Sequence, residues 1–111
     1  MSAGDPAVLT RLALTIAARR GADPATSHTA RLLAEGPARC AQKFGEEAFE
    51  TAIAAATGDR EGLTAEAADA LYHLLVTLEA AGVSFDAVLA ELARREGVSG
   101  VAEKASRAKG A

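Results

Sequence analysis

The chain has 111 residues, 50% of them hydrophobic but only 4% aromatic, and a formal net charge of −3. That length supports one domain with a single modest core, and the acidic balance offers no basic footprint for nucleic acid. One cysteine, Cys40, excludes an internal disulfide and fits a reducing, cytoplasmic setting. No apolar run reaches the roughly 18 residues of a membrane span, and Met1-Ser2-Ala3-Gly4-Asp5-Pro6 does not read as a signal peptide.

Alanine dominates the apolar count, and alanine has the highest helix propensity, so the sequence predicts an all-α fold. Asp5-Pro6 reads as a cap and first helical position, and Leu9, Leu12, Ala13 and Ile16 recur at helical spacing to about Arg19. Asp23 or Ser27 then caps a short helix carrying Leu32 and Leu33, which Gly36-Pro37 terminates. A third helix is expected from about Pro37 to Thr57, with an inner stripe of Cys40, Phe44, Ala48, Ala52 and Ala55. Asp59 or Thr64 caps a fourth, which continues through Leu71, Leu74, Leu75 and Leu78 to Gly82. Ser84 caps a fifth, whose apolar face is Phe85, Val88, Leu89 and Leu92. Residues 1–96 make one compact bundle of four to five helices, and residues 97–111 are expected to be a mobile polar tail.

The third and fourth helices carry an unusual pattern. Glu47 and Glu50 lie three apart, as do Glu66 and Asp69, so each pair shares one helix face inside an apolar, alanine-rich segment. Two like charges roughly 4 Å apart repel by about 1 kcal/mol in water and about 4 kcal/mol at an effective dielectric of 20. Two such pairs facing each other therefore call for a cation between them, and oxygen ligands in that number select Mg²⁺ or a similar hard ion.

Each candidate has a plainer reading. An isolated acidic pair is usually a solvated face, but two pairs on adjacent apolar helices are not isolated. Lys43 can pair along its helix with Glu46 or Glu47, or meet a phosphate. His73, one turn past Asp69, reads as a supporting histidine hydrogen-bonded to that carboxylate rather than as a ligand. Ser27 and Thr29 are capping residues or, alternatively, anion contacts at a helix start. Arg19, Arg20, Arg31 and Arg39 are surface charges by default, Cys40 a small core residue and Tyr72 a structural one. No glycine-rich phosphate loop and no zinc spacing is present.

The run Glu46-Glu47-x-x-Glu50, 15 residues, Glu66-x-x-Asp69 resembles the acidic signature of the MazG-like all-α nucleotide pyrophosphohydrolases. With Ser27-His28-Thr29, Ala41-Gln42-Lys43-Phe44-Gly45 and Glu66 through Val76, the similarity is closest to the phosphoribosyl-ATP pyrophosphohydrolases of histidine biosynthesis, across about residues 9 to 96. The resemblance implies a homodimer, Mg²⁺ dependence with Mn²⁺ as a substitute, and hydrolysis of phosphoribosyl-ATP to phosphoribosyl-AMP and pyrophosphate. By the same resemblance Glu47, Glu50, Glu66 and Asp69 would hold metal, Glu46 would assist beside them and Lys43 would meet phosphate. In the mechanism this suggests, a carboxylate not saturated by metal, Glu46 or Glu50, accepts the water proton. The hydroxyl and basic groups Ser27, Thr29 and Arg19, with Lys43, are the candidates to read the substrate's extra ribose phosphate. His28 departs from the family, which usually has Tyr or Trp there. Two other functions fit the residues: a house-cleaning nucleotide pyrophosphatase, and a non-catalytic helical interaction module whose acids are solvated. A di-iron bundle fits less well, because its paired Glu-x-x-His motifs are missing.

Overall fold

A computed structural model describes residues 4–110; residues 1–3, the start of the expected domain, and 111, the end of the expected tail, lie outside it. Six helices follow in order among the described residues: α1 (Ala7–Ala18), α2 (His28–Glu35), α3 (Pro37–Ala56), α4 (Arg60–Ala80), α5 (Phe85–Arg95) and α6 (Gly100–Gly110). No single one of them is long and apolar enough to cross a membrane.

Short polar side chains start these helices by accepting otherwise unpaired backbone N–H groups. Ser27 Oγ accepts from Ala30 N–H at 3.1 Å, and Ser84 Oγ from Ala87 N–H at 3.1 Å. Asp59, not Thr64, caps α4, its Oδ1 accepting from Gly62 N–H at 2.9 Å. Gly62 is part of that cap, because a Cβ there would lie 2.0 Å from Asp59 Oδ2. Thr64 lies inside the helix and donates back to the Arg60 carbonyl at 3.1 Å. The turn from α2 into α3 is a single residue, Gly36, at φ +96, a conformation L side chains rarely adopt.

The long helices α3 and α4 form an antiparallel hairpin that the rest of the chain clasps from one end. α1 packs on α4, α2 on both α3 and α4, and α5 on the C-terminal end of α4. The core, Ile16, Leu32, Leu33, Cys40, Leu75 and Val76, gathers where α3 begins and α4 ends. Thr77 Oγ1 sits 3.1 Å from the Cys40 carbonyl and fixes the pairing there. As α3 advances from Cys40 to Glu47 and Glu50, α4 runs back from Thr77 to Asp69 and Glu66, so the acids meet at mid-hairpin beyond the core.

Two expectations are corrected. The inner stripe of α3 does not run through Ala52 and Ala55, which are exposed; Thr51 and buried Ala54 face inward instead. Steps of four residues turn 400°, so a stripe drawn at 44, 48 and 52 drifts off the buried face, whereas 40, 44, 47, 51 and 54 alternate four and three and stay on it. Within the expected tail, Gly100–Gly110 also form a helix, α6, started by Ser99 Oγ accepting from Ala102 N–H at 3.1 Å. Its described side chains are all exposed, so backbone propensity and a cap make this helix without an apolar stripe.

Truncating Ile16, 1% exposed, to alanine should cost about 2–5 kcal/mol in urea unfolding. Val101→Ala, at a residue 84% exposed, should stay within about 0.5 kcal/mol of the parent.

Candidate active site

Carboxylate oxygens of Glu47 on α3 and of Glu66 and Asp69 on α4 all lie within 4.8 Å of one another. The helical offset of three puts Glu66 and Asp69 on the same face of α4, and the hairpin register brings Glu47 opposite them. Glu50, one turn beyond Glu47, shares a hydrogen bond with Glu66. That bond, followed by desolvation and then by the charges of Glu50, Glu47 and Asp69, raises the Glu66 pKa above 4.5. Glu66 Oε2 is buried without a hydrogen-bond partner. A crowded set of hard oxygens with one buried and orphaned fits a divalent cation such as Mg²⁺.

Lys43 opens the cluster from the preceding turn, its Nζ 3.5 Å from Glu47 Oε1 and 3.9 Å from Glu46 Oε1. Glu46 stands on the exposed flank, where its other oxygen accepts from Gln42 Nε2 at 3.2 Å. The structure therefore brings Glu47, Glu50, Glu66 and Asp69 together and leaves Glu46 beside them. Five carboxylates against one ammonium leave this mid-hairpin surface strongly anionic.

His73 follows Asp69 by one turn and is 6% exposed. Burial lowers its pKa below 6.5, so the ring is neutral at pH 7. Its Nδ1 has no hydrogen-bond partner, so the bond to Asp69 expected from the spacing is not made through that nitrogen. The Tyr72 ring lies 4.9 Å from it at 75°, and the Tyr72 hydroxyl makes a 2.5 Å hydrogen bond with Thr29 Oγ1. Thr29 is thus a tie between α2 and α4, and Ser27 is the α2 cap. Arg19 ends α1 beside Arg20, whose guanidinium is bound to Glu79 at 2.8 Å. Glu79 is ten residues past Asp69, roughly 15 Å along α4, so the structure does not bring Arg19 to the acids.

The description Phosphoribosyl-ATP pyrophosphohydrolase matches this chain over residues 9–96, a span that holds every acid of the cluster. The chain belongs to that family. Among its relatives, the phosphoribosyl-ATP pyrophosphatase of Dinoroseobacter shibae is 66% identical over 100 residues, covering 90% of this chain and 98% of the relative. The phosphoribosyl-ATP pyrophosphatase of Cereibacter sphaeroides is 63% identical over 90% of this chain and 97% of its own. That of Paracoccus denitrificans is 63% identical over 96% of this chain and 99% of its own. Membership of the family agrees with the resemblance in the acidic and neighbouring motifs, and the all-α bundle with the alanine-rich composition. Sequence reasoning read Tyr72 as structural without its Thr29 partner, and took His28 and Arg31 separately although their side chains bond at 3.1 Å. The i, i+3 spacing of His28 and Arg31 was the available signal.

Mg²⁺ or Mn²⁺ should raise the melting temperature, because a ligand bound to the folded state stabilises it; Glu47→Gln and Asp69→Asn should abolish the increment in a thermal-shift assay. In EDTA at pH 7, Glu66→Gln should melt above the parent. A raised folded-state pKa means Glu66 supports folding below 4.5 and loses that support as pH rises through the raised value. The difference between Glu66→Gln and parent should therefore close below pH 4.5, and a gap that persists there would exclude this origin.

Proposed function

We propose that this protein hydrolyses phosphoribosyl-ATP at the α–β phosphoanhydride, giving phosphoribosyl-AMP and pyrophosphate, the second step of histidine biosynthesis. The observation that carries the reading is the convergence of Glu47, Glu66 and Asp69 within 4.8 Å in a chain of this family. Glu47, Glu50, Glu66 and Asp69 would hold Mg²⁺, for which Mn²⁺ would substitute. Bound there, the ion supplies neutralisation of phosphate charge and activation of water at neutral pH.

The chain's own groups do the rest. Glu50, exposed and adjacent to the cluster, accepts the proton of the attacking water, with Glu46 the alternative base on the flank. Lys43 leaves its carboxylate partners to meet a phosphate oxygen, exchanging one charge-assisted contact for another. Thr29 and Ser27 keep α2 against the site, and Arg19 adds positive potential on the approach of a polyanionic substrate. Phe49, Ile53 and Leu71, at 67%, 48% and 45% exposure, put apolar surface on the outer side of the hairpin that a second copy covers in a homodimer. The protein works in the cytoplasm on a small molecule, with neither nucleic acid nor membrane as partner.

Chromatographic product analysis tests the reading. With Mg²⁺, kcat/KM for phosphoribosyl-ATP should exceed that for ATP by tenfold or more, and Glu50→Gln should reduce turnover by roughly 10²–10⁴-fold, the usual range for a general base. Equal kcat/KM on both substrates would leave only a generic nucleotide pyrophosphatase.

A further inference from the structure

Phosphoribosyl-ATP differs from ATP by a second ribose phosphate attached to the base, so preference requires a site for that phosphate away from the anhydride. Resting on the function proposed above, we infer that His28 and Arg31, on the first turn of α2 over His73, form this second phosphate subsite.

Arg31 Nη2 lies 3.1 Å from His28 Nδ1. A guanidinium has only donors, so Nδ1 must offer its lone pair, and the ring proton is left on Nε2. The bond thus fixes a tautomer whose Nε2–H, on the side of the ring away from Arg31, remains a donor, as do the remaining N–H groups of Arg31. Both residues are exposed, so these donors are open to an incoming anion. A planar guanidinium and a ring N–H on one helical turn suit a phosphate monoester, which accepts through three oxygens.

Position makes the pair relevant to this substrate. The His28 ring stands 6.5 Å from the His73 ring at 90°. His73 is one helical turn from Asp69, so His28 lies beyond it, at most about 12 Å from the acids. That separation suits a nucleotide whose anhydride lies at the acids while its base and second ribose reach across His73. Beneath the pair, His73 is more than nine-tenths buried and forms a fixed floor. The Thr29–Tyr72 hydrogen bond holds α2 to α4 at this point, so the donors sit on a fixed turn. Arg19, by contrast, lies at the far end of α4.

The test compares His28→Phe, which keeps the ring and removes the N–H, with Arg31→Ala. Both residues are exposed, and matching melting temperatures establish that the variants fold. The ratio of kcat/KM for phosphoribosyl-ATP to that for ATP should fall by roughly ten- to a hundredfold in each, the effect of losing a charge-assisted hydrogen bond. The loss should appear mainly in KM. The chain has two histidines, so imidazole NMR resolves His28, and ribose 5-phosphate should shift its signals saturably where ribose does not. An unchanged ratio in both variants, or silent His28 signals at millimolar ribose 5-phosphate, overturns the subsite while the function stands. A parent that shows no preference for phosphoribosyl-ATP overturns the function and the subsite together.

Discussion

The structure turns on a repulsion held in place. Glu47 and Glu50 on one helix face Glu66 and Asp69 on the next, and the antiparallel register of α3 and α4 allows neither pair to escape the other. Lys43 relieves one acid, and the raised pKa of Glu66, caused first by its hydrogen bond with Glu50, eases the charge on another. The remaining strain must be carried by the rest of the fold. Buried side chains such as Ile16, Leu32, Leu33, Leu75 and Val76 each contribute about 1.5–3 kcal/mol. They sit at one end of the hairpin, so the acids are anchored from the side without being covered. A site kept open in this way is stabilised by whatever neutralises it, which couples the folding energy to binding.

The anchor depends on groups with no chemical role. Cys40 is 1% exposed, and its thiol donates to the Leu32 carbonyl at 3.1 Å. Burial, with the nearby Glu35 charge as a smaller cause, pushes the thiol pKa up, so it is protonated and unreactive at neutral pH. The Cys40 carbonyl in turn faces the Thr77 hydroxyl, so one small residue links α2, α3 and α4. Slippage of that pairing by one residue would rotate α4 by about 100° and carry Asp69 off the face that meets Glu47. Register, more than any single carboxylate, is what the core protects.

Much of this was legible in the sequence because it is local. Caps at Ser27 and Ser84, the i, i+3 acids and the glycine-proline break at Gly36-Pro37 depend on residues a few positions apart, and the structure has each of them. Errors arose where small distortions accumulate: the α3 stripe drawn at steps of four lost the buried face within two turns and missed Ala54. The hydrogen bond of Thr29 with Tyr72 spans 43 positions, and nothing in either residue's neighbourhood announces it. The spacing of His73 from Asp69 suggested a bond that its buried Nδ1 does not make. Helix α6 was illegible for the opposite reason, since a helix built on propensity and a serine cap leaves no hydrophobic period to read.

The division of labour between long and short helices has a physical logic. Carboxylates that gather around a cation must hold mutual positions within a fraction of an ångström, and two packed helices of 20 and 21 residues give that rigidity. The 8-residue α2, which carries His28 and Arg31, is fixed instead by a serine cap, a glycine turn and one hydrogen bond to α4. Its exposed side chains can therefore vary while the acid geometry on α3 and α4 stays intact. His73 stands between the two, buried under α2 and one turn from Asp69. Its neutral ring lies between the anionic cluster and the cationic Arg31, so groups of opposite charge on α2 and on the hairpin are set apart by an uncharged one.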